Sequence, residues 1–139
     1  MSRKLLGLLL ATMVLSVVLT GCAGLPSAGA AQQAVCQALT KLTDPLDQFA
    51  AKGGNATTAD VKALKNTLDG AVKAVETANK ALNSEPINGL VTAYKGLAET
   101  VDGLPADAPL GADASAKIKT GVDGIQAALK QATGSLSCK

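Results

Sequence analysis

The sequence predicts an all-α domain, folded as an antiparallel up-down four-helix bundle behind an apolar N-terminal leader and a short tether. Three observations predict it. Apolar residues recur at alternating steps of three and four along four separate segments, the spacing of one face of a helix. No segment alternates apolar and polar residues as a half-buried strand does. Gly, Pro and cap-forming residues fall between the four periodic segments rather than inside them, Pro45 and a few glycines excepted.

The first helix carries Val35, Leu39, Leu42, Leu46 and Phe49 on one stripe. Pro45 interrupts it; because the stripe continues through, a kink or a restart capped by Thr43 or Asp44 is expected rather than a loop. Gly53-Gly54-Asn55 then breaks the chain. Thr57 or Thr58 caps the second helix, whose seam is Val61, Leu64, Leu68, Ala71, Val75, Ala78 and Leu82, with Asp60 in its first turn. Asn83-Ser84-Glu85-Pro86 reads as a short turn, with Ser84 as the cap and proline in the first turn of a third helix. That helix holds Ile87, Leu90, Tyr94, Leu97, Val101 and Leu104. The longest loop runs from Gly103 to Gly111 and bears Pro105 and Pro109. Asp113 or Ser115 starts the fourth helix, with Ile118, Val122, Ile125, Leu129, Ala132 and Leu136. Short turns join antiparallel neighbours, hence the up-down order.

At 139 residues the chain is one domain plus a leader. A domain of that size buries roughly two-thirds of its unfolded surface. Phe49 and Tyr94 are the only aromatics, so the core rests on Leu, Val, Ile and Ala. Arg3 and Lys4 lie in the leader, and the remaining lysines balance the 11 acids. A near-neutral domain without Arg lacks the basic footprint of a nucleic-acid binder, and no polybasic patch is present to hold it on anionic lipid.

The N-terminus reads in three parts: positive Arg3 and Lys4, an uncharged apolar run from Leu5 to Leu19, and Leu19-Thr20-Gly21-Cys22. The run is shorter than the roughly 18–20 residues of a spanning helix and fits the apolar region of a signal peptide. The last four residues resemble the lipobox of bacterial lipoproteins, in which small residues expose the backbone to a peptidase and the thiol takes a diacylglycerol as a thioether. The resemblance covers the leader and names a class. It implies cleavage before Cys22, lipidation of Cys22, and palmitate-type acylation of the new amino group, giving a protein held on a cell membrane or outer membrane with its domain outside the cytoplasm. Residues 1–21 are then signal peptide, 22–30 a lipidated tether rich in Gly, Pro and Ala, and 31–139 the bundle domain. The rival reading is an uncleaved signal anchor.

Three cysteines are an odd number for an exported chain. With Cys22 lipidated, Cys36 and Cys138 remain as an even pair in an oxidising compartment. A disulfide between them is the leading reading, against two free thiols, a metal pair or a redox pair. It would constrain the unfolded state by roughly 4–5 kcal/mol. Four helices in up-down order put the start of the first and the end of the last together, so the helix count and the pairing agree.

The search for chemistry is mostly negative. The chain has no His, no nucleophile-elbow serine and no phosphate loop, so no catalytic residue, cofactor or metal ligand is nominated and an enzyme is not expected. Asp102, Asp107 and Asp113 bracket the long loop, but their spacing is unlike that of an EF-hand. Gly89, Gly96 and Gly103 recur every seven residues on the side of the third helix away from its seam, with Gly70 and Gly124 placed alike on theirs. Compositional drift accounts for them, or a smooth strip for a close partner. Small residues around Phe49 and Tyr94 suggest ordinary core filling before an apolar pocket. The expectation is a tethered, non-catalytic domain for protein or cell-envelope interaction, with a carrier or sensor of a small apolar ligand as the alternative.

Overall fold

The computed structural model describes residues 27–52, 56–106 and 108–138. The leader, Cys22, most of the tether, Gly53-Gly54-Asn55 and Asp107 lie outside the described residues. Those described form four helices and no strand: α1 (Ala28–Lys52), α2 (Thr58–Asn79), α3 (Glu85–Asp102) and α4 (Ala112–Ser135). A lone bridge between Thr57 and Pro109 ties the start of α2 to the long loop.

α1 begins at Ala28, inside the segment that composition reads as tether, and carries Gly29 at an open position. Its expected stripe is buried along its whole length, and Pro45 sits within the helix, itself buried, without a restart. Proline removes one backbone donor; the apolar stripe through Leu42, Leu46 and Phe49 holds the segment helical regardless.

The N-terminus of α2 is a capping box. Asp60 N–H donates to the Thr57 hydroxyl at 3.2 Å, and Thr57 N–H donates back to the Asp60 carboxylate at 3.1 Å. Along α2 the seam departs from the expected heptad after Leu68. Val72 and Val75 are buried where Ala71 was expected beside Val75, and Asn79 is buried where Ala78 was expected. A straight helix turns every 3.6 residues, so a strict alternation of three and four drifts off the buried face within two heptads.

Ser84 occupies the N-cap of α3, as its position implies, but its side chain makes no cap bond. The turn is organised from the buried side by Asn79, whose carbonyl oxygen accepts from Ser84 N–H at 2.9 Å and whose amide donates to Asn88 at 3.0 Å. Asn83 turns the chain with φ of 48°. The N-cap of α4 is Gly111 rather than Asp113 or Ser115, and Asp113 lies in the first turn.

α1 packs on α2 and α4, and α3 packs on α2 and α4, with no close backbone contact across either diagonal. The core is the set of seam residues from all four helices. α4 comes close to α3 at Gly121, where a Cβ would stand 2.9 Å from Leu97 Cδ1. The α1–α4 contact is the sparsest of the four. Leu129, expected in the α4 seam, is only half-buried, and the small Ala132 fills the next core position.

Candidate functional site

The loosely packed α1–α4 seam is closed at one end and open at the other. At the closed end Cys36 and Cys138 form a disulfide spanning 102 residues, with their Cα atoms 5.4 Å apart. The Gln32 side-chain amide donates to the Leu136 carbonyl beside it. Ser137 adopts φ of 50° to turn the chain out of α4 and bring Cys138 back toward α1.

At the open end, the last turn of α1 and the first turns of α2 and α4 diverge around a cleft of about 290 Å³. Its walls are apolar: Phe49 from α1, Ala56, Val61 and Leu64 from and around the start of α2, Ile118 and Val122 from α4. Three of the core side chains that line it keep a little surface open to solvent. Phe49, Leu64 and Ile118 are 6%, 8% and 7% exposed, whereas Leu39, Leu42 and Leu90 are fully buried. Lys52, Ser115, Lys119 and Asp123 also line the cleft. Lys52 pairs with Asp60 at 2.7 Å and Lys119 with Asp123 at 2.6 Å, both on exposed side chains. The Lys52 bond and the Thr57 cap together lower the Asp60 carboxyl to about 2.

Of the two aromatics that suggested a gap, Phe49 lines this cleft and Tyr94 does not. Tyr94 is buried between α2 and α3, and its hydroxyl donates to the Asp69 carboxylate, with the Lys65 carbonyl 3.3 Å away as a second acceptor for the same proton. Lys65 reaches Asp69 and Asp102 at 3.2 Å each. The Tyr94 hydrogen bond holds the Asp69 carboxyl below its ordinary value, and the bonds to Asp69 and Asp102 raise the Lys65 ammonium. Burial, reinforced by Asp69, pushes the Tyr94 phenol up. Each polar group in this cluster therefore has a partner, which is the arrangement of a structural clamp between α2 and α3. The signal for it in the sequence is slight: a lone Tyr on a seam and an Asp flanking the opposite one.

Buried Thr58 and Asn79 also escaped sequence reasoning. Thr58 donates to the Ala108 carbonyl at 2.6 Å, and Asn79 organises the α2–α3 turn. Both are buried polar groups whose bonds tie loops to the bundle.

Gly70, Gly89, Gly96 and Gly124 are exposed, and an added Cβ at any of them would meet nothing within 4 Å. Among the described residues no three His, Cys, Asp or Glu side chains gather to hold a metal ion, and no helix is long and apolar enough to cross a membrane. Asp102, one of the three loop carboxylates, is engaged by Lys65. No family model, no curated protein and no solved structure matches this chain.

Proposed function

We propose that this chain is an exported, lipid-anchored bacterial lipoprotein, held by Cys22, whose domain is non-catalytic and works by contact with a protein or envelope component. The observation that carries it is the leader: Arg3 and Lys4, the apolar run, and Leu19-Thr20-Gly21-Cys22 in that order. Two or three acyl chains, at about 0.8 kcal/mol per buried methylene, make a durable anchor. The disulfide supports the same address, because such a bond persists in an oxidising compartment and uses up the two cysteines other than Cys22.

We read the helices as running up and down in antiparallel order. Support comes from the pairing of numbers: Cys36 near the start of α1 meets Cys138 after α4, while Asn79 meets Asn88 and Lys65 meets Asp102. α1 starts six residues after Cys22, so the disulfide end would face the membrane and the cleft would face away. The helix between Cys36 and Lys52 sets these ends roughly 25 Å apart.

The test is fractionation with mass analysis of the mature N-terminus. The expected product begins at an acylated Cys22 and stays with membranes, and Cys22→Ala releases it or leaves its leader attached. A water-soluble product with an unmodified N-terminus refutes the reading. Mild crosslinking in membranes then tests the contact function, a stoichiometric partner being the expected result.

A second reading, a carrier or sensor of a small apolar molecule, is favoured by one observation: the apolar cleft between α1, α2 and α4. Native mass spectrometry of the purified protein tests it, with a co-purifying apolar molecule as the expected result.

A further inference from the structure

We infer that the cleft takes a single-chain anionic amphiphile, an acyl chain between the helices with a carboxylate at the mouth. This rests on the second reading above, that the cleft binds an apolar molecule, and adds the ligand's size and charge. Size comes from the volume. An apolar cavity of roughly 150 Å³ admits benzene; at about 290 Å³ the cleft admits roughly twice as many non-hydrogen atoms, about twelve. Phe49, Val61, Leu64, Ile118 and Val122 dominate the walls, and Ser115 is the one uncharged polar side chain among the lining residues, so the inserted part is mainly hydrocarbon.

Charge comes from the mouth. The mouth carries two ammonium groups, Lys52 and Lys119, each already beside a carboxylate, Asp60 and Asp123 respectively. Lys52 and Lys119 keep 45% and 76% of their side-chain surface exposed, so their heads stand at the water side of the cleft. Their present ion pairs with Asp60 and Asp123 are surface pairs, of the kind that contribute little. Exchanging or sharing one with an incoming carboxylate therefore loses little, while a carboxylate deeper in the apolar walls would be unpaired and strongly disfavoured. One lysine from α1 and one from α4 reach the mouth from opposite walls, so a head group held by both would bridge the sparsest interface of the bundle.

The experiment uses the intact lipoprotein in detergent-free nanodiscs, with decanoate and decan-1-ol as probes, read by titration calorimetry and by native mass spectrometry. Decanoate is expected to bind once per chain, and decan-1-ol, with the same chain and no charge, at least about tenfold more weakly. Lys52→Gln with Lys119→Gln is expected to erase that preference. Ala56→Phe, and independently Ala116→Phe on the opposite wall, fill the cleft and are expected to abolish binding of both probes, with unchanged helicity by circular dichroism. Equal binding of the two probes, lost on filling, overturns the anionic head group and leaves the apolar site standing. Decanoate binding that survives both filling variants overturns the inference by placing the ligand elsewhere. No binding of either probe overturns it together with the second reading.

Discussion

Removing the disulfide tests how much the thinly packed α1–α4 side of the bundle depends on the covalent link at its end. The perturbation is Cys36→Ser with Cys138→Ser, compared with the parent protein. A crosslink closing 102 residues lowers the entropy of the unfolded chain by an amount worth roughly 4.7 kcal/mol at 25 °C in the chain-entropy model. Domains of this size have total stabilities of about 5–15 kcal/mol, so the loss is a third of the stability or more. At roughly 3–6 °C per kcal/mol for a domain of this length, the melting temperature should fall by about 15–25 °C. Thermal unfolding followed by circular dichroism gives that shift, and a reductant should lower the parent toward the variant while leaving the variant unmoved. Hydrogen exchange adds the spatial signature. Amides from Ala31 to Leu39 and from Ala128 to Leu136 should lose protection before those of α2 and α3, because the α1–α4 contact is the sparsest. A variant melting within about 3 °C of the parent, or an even loss of protection over all four helices, would refute the reasoning.

Glycine substitutions separate open positions from the one close approach. Gly70→Ala, Gly89→Ala, Gly96→Ala and Gly124→Ala should each stabilise by about 0.5–1 kcal/mol in denaturant titrations, since each adds helix propensity and meets nothing. Gly121→Ala should fail to stabilise and cost about 1 kcal/mol or more, because its Cβ runs into Leu97. Thr57→Ala should remove the capping box and cost about 0.5–2 kcal/mol. Acid sensitivity follows from Asp60, whose carboxyl is lowered in the folded state to about 2 by Lys52 and Thr57. Its contribution is present above about pH 4 and is lost as pH falls toward 2, so Asp60→Asn should flatten stability-against-pH curves in that window. Tyr94→Phe should destabilise by about 1–2 kcal/mol and let the Asp69 carboxyl rise, read by NMR titration of its side chain.

Much of the fold was legible in the sequence because a helix announces its buried face locally. Val35, Leu39, Leu42, Leu46 and Phe49 on α1, and Ile87, Leu90, Tyr94, Leu97 and Val101 on α3, are spaced as one face and are all buried. The four segments, the Thr57 cap and the proline entry into α3 were legible for the same reason, each being a matter of a few neighbouring residues. The pairing of Cys36 with Cys138 was legible from parity together with helix count. Reading failed where the spacing had to be extrapolated or a partner lay far along the chain. Val72 and Asn79 took seam positions on α2 through the drift of a straight helix against a heptad, and the Ser84 cap yielded to a buried amide five residues earlier.

The sequence by itself determined that this chain holds four amphipathic helices preceded by an uncharged apolar run, because helical periodicity and short-range chemistry are written in adjacent residues. Only the tertiary structure decided where the bundle is tight and where it gapes. Gly121 lets α4 close on Leu97 of α3, while the last turn of α1 and the first turns of α2 and α4 leave a cleft between them. The width of an interhelical gap depends on side chains contributed together by distant segments, so the stapled end at Cys36 and the apolar cleft beside Phe49 emerge only once the helices are set side by side.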